Sequence, residues 1–594
     1  MGAFFISLIF IKRQHMRILF TLAISLFFST GFLHGQNILQ THFEKTQGNE
    51  TPTYEEIITW WKKADQYSPL LNLQTKGPTD AGFPLHLAMV SSKGFSSISA
   101  AREAGATIIL INNGIHPGEP DGIDASMLLV KKIIDKKITL SPNLVIAIIP
   151  IFNIGGCLNR STNFRVDQEG PTAFGSRGNS QYLDLNRDFI KCDSKEALSF
   201  SSIFQECDPD VFIDNHVSNG ADYQHVMTLL TSQPSKLGGV MEHFLRSQFE
   251  PALFTGMKER GFDMVPYVNA FGNKPENGWS TYWDSPRYTS GYATLWHSFA
   301  FVPETHMLKS YDQRVMATLA LLETFLSFTG KNGQEIKALR KEAKRAAATA
   351  DRFPIKWKPD KSGFTEYTFK GYESGTKPSE VSGLSRLYYD RSKPFTKTIK
   401  VVDKFVPELY IVKPKAYIIP QGWWKVIDRL LANNVQMSRF EKDTTLEFVE
   451  WYKIEDYKTT PRQYEMHHLN SDVVVSKQYA RHRFRKGDWY IPMDQPANRF
   501  LIETLEPQAE DSYFAWNFFD AILGQKEGYS AYVFEDKATQ YLSENPALRT
   551  QLEQRRAADT NFAKSARAQL DFVYRNSPWV EPDHNRYPVF RVLQ

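Results

Sequence analysis

The succession of apolar runs predicts an α/β fold: a mixed, mostly parallel sheet flanked by helices, followed by a smaller C-terminal domain of α/β or α+β type. Three observations support this. Residues 106–111 and 144–150 are short apolar runs rich in strand formers, and between them residues 121–134 form a helical stretch with Ile123, Met127, Leu128 and Ile133 on one side. Strand, helix and strand in that order imply a parallel pair with a covering helix. Runs at 85–89, 211–214, 227–230 and 294–302 add further strands, and 594 residues are more than one hydrophobic core organises.

From the N-terminus, Met16-Arg17 precede an apolar stretch at 18–28 and a small or polar ending at His34-Gly35-Gln36. This reads as a secretory signal over residues 1–35, with the chain starting at Met16 or at Met1 behind a longer leader. Neither this run nor the one at 4–11 reaches the roughly 20 apolar residues that span a bilayer. The expectation is export, to the periplasm or beyond, with no stable membrane insertion once the signal is removed. Residues 53–65 mix Glu55, Glu56, Lys62 and Lys63 with Ile57, Ile58, Trp60 and Trp61, an amphipathic helix. A long helix at 313–328 closes a first domain, 36–330. Residues 331–380 read as a helical and then extended linker, Ala-, Lys- and Arg-rich at first and Lys-, Pro- and Gly-rich afterwards. In the remaining domain, 381–594, strands are expected around Pro414, at 446–452 and at 501–503, and helices at 423–431 and 514–523.

Composition excludes some function classes. With 70 Lys plus Arg against 66 Asp plus Glu, a net charge of +4 makes no steering field for nucleic acid. Cys157, Cys192 and Cys207 are too few for a disulfide scaffold; either Cys192 pairs with Cys207 or all three are thiols. Nothing in the sequence specifies an oligomeric state.

The chemistry concentrates in four places. His116-Pro117-Gly118-Glu119 puts a histidine and a carboxylate on either side of a Pro-Gly turn, where both can bind one zinc ion. Catalytic zinc takes three protein ligands and keeps a fourth position open. His216, after the apolar run at 211–213, is the best third ligand, with Asp214 and Asn215 beside it for outer support. The run Asp184-Leu185-Asn186-Arg187-Asp188-Phe189 offers a guanidinium and an amide for gripping a carboxylate, and Arg160, Arg165 and Arg177 add cationic donors nearby. Glu304, at the end of the apolar run 299–302, is partly desolvated and suited to act as a base. His306 falls on the same face of an extended chain, as a hydrogen-bonded residue or a further ligand.

Taken in order, these residues closely resemble the zinc carboxypeptidases, the M14 metallopeptidases, over about residues 50 to 330. The resemblance implies one zinc per chain held by His116, Glu119 and His216, with Glu304 as base. It also implies Asn186 and Arg187 as the grip on a substrate's terminal carboxylate, and an arginine on the scissile carbonyl, for which Arg165 has the best spacing and Arg160 is next. A tyrosine that closes over substrate is implied among Tyr282, Tyr288 and Tyr292, with Tyr292 taken here. Asp284, Arg287 and His297 are extra polar groups in that stretch and mark a departure from digestive carboxypeptidases. The expected activity is hydrolysis of the C-terminal peptide bond of peptides bearing a free carboxylate. The alternatives are a zinc amidase or carboxypeptidase acting on cell-wall peptides and, more distantly, a non-catalytic binding protein on the same fold.

Overall fold

The computed structural model describes residues 38–593. The segment expected to be a signal, residues 1–35, lies outside the described residues. Two compact units are present: the first runs to Lys344 and includes Pro359–Val406, and the second comprises Arg345–Lys358 and the chain from Pro407 onward.

The first unit is built on a nine-stranded sheet. Its strands are β1 (Leu71–Pro78), β2 (Pro84–Ser91), β3 (Thr107–Asn112), β4 (Leu144–Ile149), β5 (Val211–Asp214), β6 (His216–Ser218), β7 (Met227–Thr231), β8 (Met264–Pro266) and β9 (Phe299–His306). They are ordered β1-β2-β4-β3-β5-β9-β7-β8, with β6 also pairing β9. The centre, β4-β3-β5-β9, is parallel, whereas β1, β2 and β7 join antiparallel. The sheet is therefore mixed and mostly parallel, as expected. Strands β3 and β4 are buried at every position, the mark of a sheet covered on both faces. Helix α1 (Tyr54–Tyr67) starts at a capping box in which the Thr53 hydroxyl accepts from the Glu56 amide and the Glu56 carboxylate accepts from the Thr53 amide. Helix α2 (Asp121–Ile134) crosses between β3 and β4.

The linker expected at 331–380 has a different form. A single helix, α3 (Tyr311–Thr349), continues through its first part, and Arg352–Pro359 and Thr365–Pro378 are strands. Thr365–Pro378 pairs antiparallel with Ser385–Val402, and this hairpin belongs to the first unit. Phe369, Ile399 and Val401 join Tyr223, Val265, Val268 and Trp279 in one buried cluster, which gives the hairpin an apolar reason to stay with the sheet rather than to cross away from it.

The second unit is α+β. A six-stranded antiparallel sheet, including Ala416–Ile419, Thr444–Thr459 and Asn470–Phe484, is accompanied by the helix Trp424–Ala432. Residues 501–503, expected as strand, lie in the helix Asn498–Leu505, whose residues are all buried, so no amphipathic period marks it. Residues 514–523, expected as helix, are mostly irregular: Asn517 takes a left-handed φ of 65° and ends any helix there. Helices at Ala531–Glu544, Pro546–Ala558, Thr560–Ala563 and Ala566–Arg575 pack Phe534, Leu552, Phe562 and Tyr574 into their own small core. All three cysteines are buried free thiols. No helix among the described residues is long and apolar enough to cross a membrane.

Candidate metal centre and substrate cavity

Three parallel strands end together at the candidate site. Beyond β3 the chain turns through Gly114, whose φ is 63° and whose missing Cβ would meet Ile151 Cδ1 at 2.3 Å, so only glycine fits. The turn closes with the Glu119 amide donating to the His116 carbonyl at 2.8 Å, which sets the two side chains against each other. Beyond β5, His216 begins β6. The loops are tied by amides: Asn215 Nδ2 donates to Asn113 Oδ1 at 2.9 Å, and Asn112 Nδ2 donates to Asp214 Oδ1 at 3.0 Å.

His116, Glu119 and His216 are buried, and one ligand atom from each falls within 4.8 Å of the others. His116 Nδ1 is 3.2 Å from Glu119 Oε1, and His216 Nδ1 is 3.1 Å from Glu119 Oε2. Both imidazoles present Nδ1 inward and engage a carboxylate through Nε2: His116 with Asp184 at 2.9 Å, His216 with Asp214 at 2.7 Å. Outer carboxylates of this kind fix ring orientation in metal sites. Two nitrogens and a carboxylate with such support fit zinc. In the metal-free protein burial works against charge on His216, but Asp214 and Glu119 outweigh it and hold its pKa well above the ordinary histidine value. Burial likewise works against the Glu119 carboxylate, while Arg165 and His116 hold its pKa well below the usual range.

Glu304 stands opposite His216 in the β9–β6 register and lines the same cavity. Burial pushes its carboxyl up to about 8; His216 pulls it down and Glu119 pushes it up. The cavity, about 430 Å³, is lined by His116, Glu119, Asn186, Arg187, His216 and Glu304 among others. Arg187 Nη1 donates to the Asn186 carbonyl at 2.8 Å, and its guanidinium lies 4.5 Å from the Tyr288 ring centroid. Asn186 Oδ1 is buried without a hydrogen-bond partner.

Other expectations change. Tyr292 is not a cavity residue: it is fully buried, with its ring 5.1 Å from Phe204 and 5.9 Å from Phe189. The cavity's tyrosines are Tyr267, Tyr282 and Tyr288. Tyr292 lies in the helix Thr289–Leu295, whose residues are all buried, one turn beyond the cavity wall at Tyr288, Thr289 and Ser290, and packs into the aromatic cluster instead. Arg165 lines the cavity and is held there from each of its three nitrogens, donating to Glu119 Oε1 at 2.6 Å, Gln168 Oε1 at 2.6 Å and the Val217 carbonyl at 3.0 Å. Arg160 holds the backbone carbonyls of Thr51, Pro52 and Ala173. His306 is buried and bonded to the Ala221 carbonyl at 2.7 Å.

Sequence reasoning underweighted two residues. Arg177, side chain 48% exposed, lines the cavity and anchors to Asp184 at 2.9 Å. Asp184 carries His116 as well as Arg177, and also accepts from the Asn186 amide at 2.9 Å. Its place two residues before Asn186 was the available signal, but capping alone explained it equally well.

Comparison with known proteins follows this geometry. The family model described as zinc carboxypeptidase matches residues 57–232, a span that includes His116, Glu119, Asn186, Arg187 and His216 and stops short of Glu304. No curated protein gives a match. Among solved structures, a metallo-carboxypeptidase from Burkholderia cenocepacia is 16% identical, with 47% of this chain and 69% of that chain covered and a TM-score of 0.35. A metallo-carboxypeptidase from Pseudomonas aeruginosa, in complex with (2-guanidinoethylmercapto)succinic acid, is 13% identical, with coverage of 48% and 69% and a TM-score of 0.36. Bovine thrombin-activatable fibrinolysis inhibitor, in complex with tick carboxypeptidase inhibitor, is 13% identical, with coverage of 48% and 99% and a TM-score of 0.36. Residues 57–232 thus carry a zinc carboxypeptidase domain match, in the family that the HxxE turn and the Asp-Leu-Asn-Arg run resemble.

Proposed function

We propose that this chain is an exported zinc carboxypeptidase that hydrolyses the C-terminal peptide bond of peptides with a free carboxylate. The observation that carries the reading is the convergence, in one cavity, of His116, Glu119 and His216 with Glu304 in register beside His216. Export rests on the apolar segment behind Met16-Arg17 and is tested by N-terminal sequencing of the mature protein.

A zinc ion held by His116, Glu119 and His216 supplies a Lewis acid and makes water in the site more acidic. Glu304 takes the proton of the attacking water and returns it to the leaving amine; its raised pKa lets it hold that proton in between. Arg187 and Asn186 hold the terminal carboxylate, the guanidinium through paired hydrogen bonds and the amide through its side chain. The oxyanion falls to Arg177. Both arginines line the cavity and both are anchored to carboxylates; Arg165, the choice by spacing, bonds Glu119 Oε1 at 2.6 Å with its side chain 18% exposed and is assigned to holding Glu119, whereas Arg177, 48% exposed, is anchored to Asp184 and comes only within 3.5 Å of Glu119.

The test is Glu304→Gln assayed on free and C-terminally blocked peptides alongside muropeptides, with zinc measured on the same samples. The expected result is full zinc and turnover lower by about a hundredfold to ten-thousandfold. Wild-type-like turnover in the variant would remove Glu304 as the base. Cleavage of muropeptides with little action on ordinary free C-termini would move the substrate to the cell wall.

A further inference from the structure

Glu119 is held by a loop that is itself held. Arg165, whose guanidinium donates to Glu119 Oε1 at 2.6 Å, has a φ of 46°, a left-handed backbone that a residue with a side chain keeps only where its surroundings impose it. Part of that constraint is the HxxE turn. A Cβ on Gly118 would meet Arg165 Cδ at 2.8 Å, so the arginine stem lies directly on the turn between His116 and Glu119. Gln168 Oε1 accepts from Arg165 Nε at 2.6 Å, while the Gln168 amide donates to the Gly118 carbonyl at 2.9 Å and the Gly170 carbonyl at 3.1 Å. The Glu169 main-chain amide donates to the Met307 carbonyl at 2.8 Å, just past the end of β9.

The far side of this loop is closed by one guanidinium. Arg314, fully buried on α3, donates through Nη1 to the Glu169 carbonyl at 2.7 Å and the Lys309 carbonyl at 2.6 Å, and through Nη2 to the Gly170 carbonyl at 2.9 Å. Its Nε donates to Asp121 Oδ2 at 3.0 Å. Asp121 stands two residues past Glu119, at the start of α2, and the Thr305 hydroxyl ties the same oxygen to β9. Arg314 therefore joins a carboxylate next to Glu119 in the chain to the loop that carries the cation holding Glu119. A buried ion pair adds little net stability over apolar packing of the same volume; what a rigid fork of N–H donors adds is direction.

We propose that Arg314 is a positioning residue for the metal centre: by fixing loop 165–170 against Asp121 it sets Arg165 on Glu119, and Gln168 completes the hold. The inference rests on the zinc carboxypeptidase reading and deepens it by naming what keeps the carboxylate ligand in place.

The experiment measures zinc affinity of the full chain by competition with a chelator of known affinity, for wild type, Arg165→Ala, Arg314→Lys, Gln168→Leu and each of the last two combined with Arg165→Ala. Arg314→Lys keeps a charge for Asp121, but one ammonium cannot also reach the three carbonyls. Arg314→Lys and Gln168→Leu are each expected to weaken zinc binding by about tenfold, as loss of a group that orients a ligand does. Because both act through Arg165, each is expected to add less than about twofold once Arg165 is alanine. A brace of the fold alone would cost the same factor in both backgrounds. Losses that multiply, or wild-type zinc affinity in either single variant, overturn the positioning role and leave the carboxypeptidase reading standing. If Arg314→Lys does not fold, Gln168→Leu, at a half-buried loop residue, decides by the same two criteria. A wild-type chain that binds no zinc overturns both.

Discussion

Glu119 in the first unit and Glu450 and Glu506 in the second are all buried among charged or polar partners, but the two clusters are arranged differently. In the second unit a guanidinium occupies the centre: Arg591, itself buried, pairs with Glu450, and its Nε is 3.1 Å from Glu506 Oε1. Tyr479 donates to Glu450 Oε2 at 2.9 Å, and Tyr417 donates to Glu506 Oε1. In the first unit two imidazoles and a carboxylate occupy the centre: His116 Nδ1, Glu119 and His216 Nδ1 converge, Arg165 reaches Glu119 Oε1 at 2.6 Å, and Asp184 and Asp214 engage the outer ring nitrogens. Buried charge is common to both. A guanidinium bridging two carboxylates makes a structural brace, whereas two imidazoles and a carboxylate converging beside a cavity make a place for a cation.

The largest effects should separate the two. Arg591→Leu strands two buried carboxylates and is expected to cost about 3–5 kcal/mol of the second unit's stability, read as a shift of its chemical unfolding transition. His116→Ala is expected to abolish zinc binding and peptide hydrolysis. If Arg591→Leu unfolds like wild type, the brace reading fails; if His116→Ala keeps one zinc per chain, the ligand reading does.

Next come the two arginines beside His116, Glu119 and His216. Arg177→Ala is expected to retain zinc and lose about 10²–10³ in kcat, the usual effect of removing an oxyanion donor. Arg165→Ala is expected to act through Glu119, weakening zinc affinity by about 10–100-fold, with most of the turnover recovered at saturating zinc. Assaying both at low and saturating zinc settles the assignment: a kcat loss in Arg165→Ala that zinc does not restore would exchange the roles.

These contrasts also show what the chain order reveals. His116, Glu119 and His216 were legible because each follows an apolar run that became β3 or β5, and parallel strands carry the residues after them to one edge. Glu304 was legible for the same reason on β9. What escaped was whatever depends on the third dimension alone. Spacing favoured Arg165, with Arg160 next, because nothing in the sequence shows that Arg165 is tied to Gln168, Glu119 and the Val217 carbonyl and Arg160 to backbone carbonyls. Tyr292 and Tyr288 are four apart, and only the packing of Phe189 and Phe204 turns one of them inward. The hairpin at Thr365–Pro378 read as linker because the stretch is rich in Lys, Pro and Gly, and the few apolar side chains that anchor it matter only against Trp279 and Val265.

The smallest effect sharpens the comparison on the pH axis. His216 has a raised pKa in the metal-free protein, chiefly because Asp214 overcomes the burial that opposes its charge. A histidine raised on folding contributes stability that is fully present below its unfolded pKa, about 6.5, and is lost as pH rises through the folded value. Zinc requires the neutral ring, so proton and metal compete for the same imidazole. Zinc added to metal-free protein near neutral pH is therefore expected to release at least about one proton per ion, and apparent affinity should climb with pH until the raised pKa is passed. In Asp214→Asn the imidazolium loses its main support, so fewer protons are released at the same pH and the climb ends at a lower pH, alongside an affinity loss of about 10–100-fold from the missing outer carboxylate. Indicator-dye titration in weakly buffered solution reads the protons directly. The Arg591 cluster holds no imidazole and, if it is only a brace, adds nothing to this release, so Arg591→Leu should leave the proton count per zinc where it was. Zinc uptake without proton release would mean that His216 is already neutral, and that its partnership with Asp214 orients the ring without charging it.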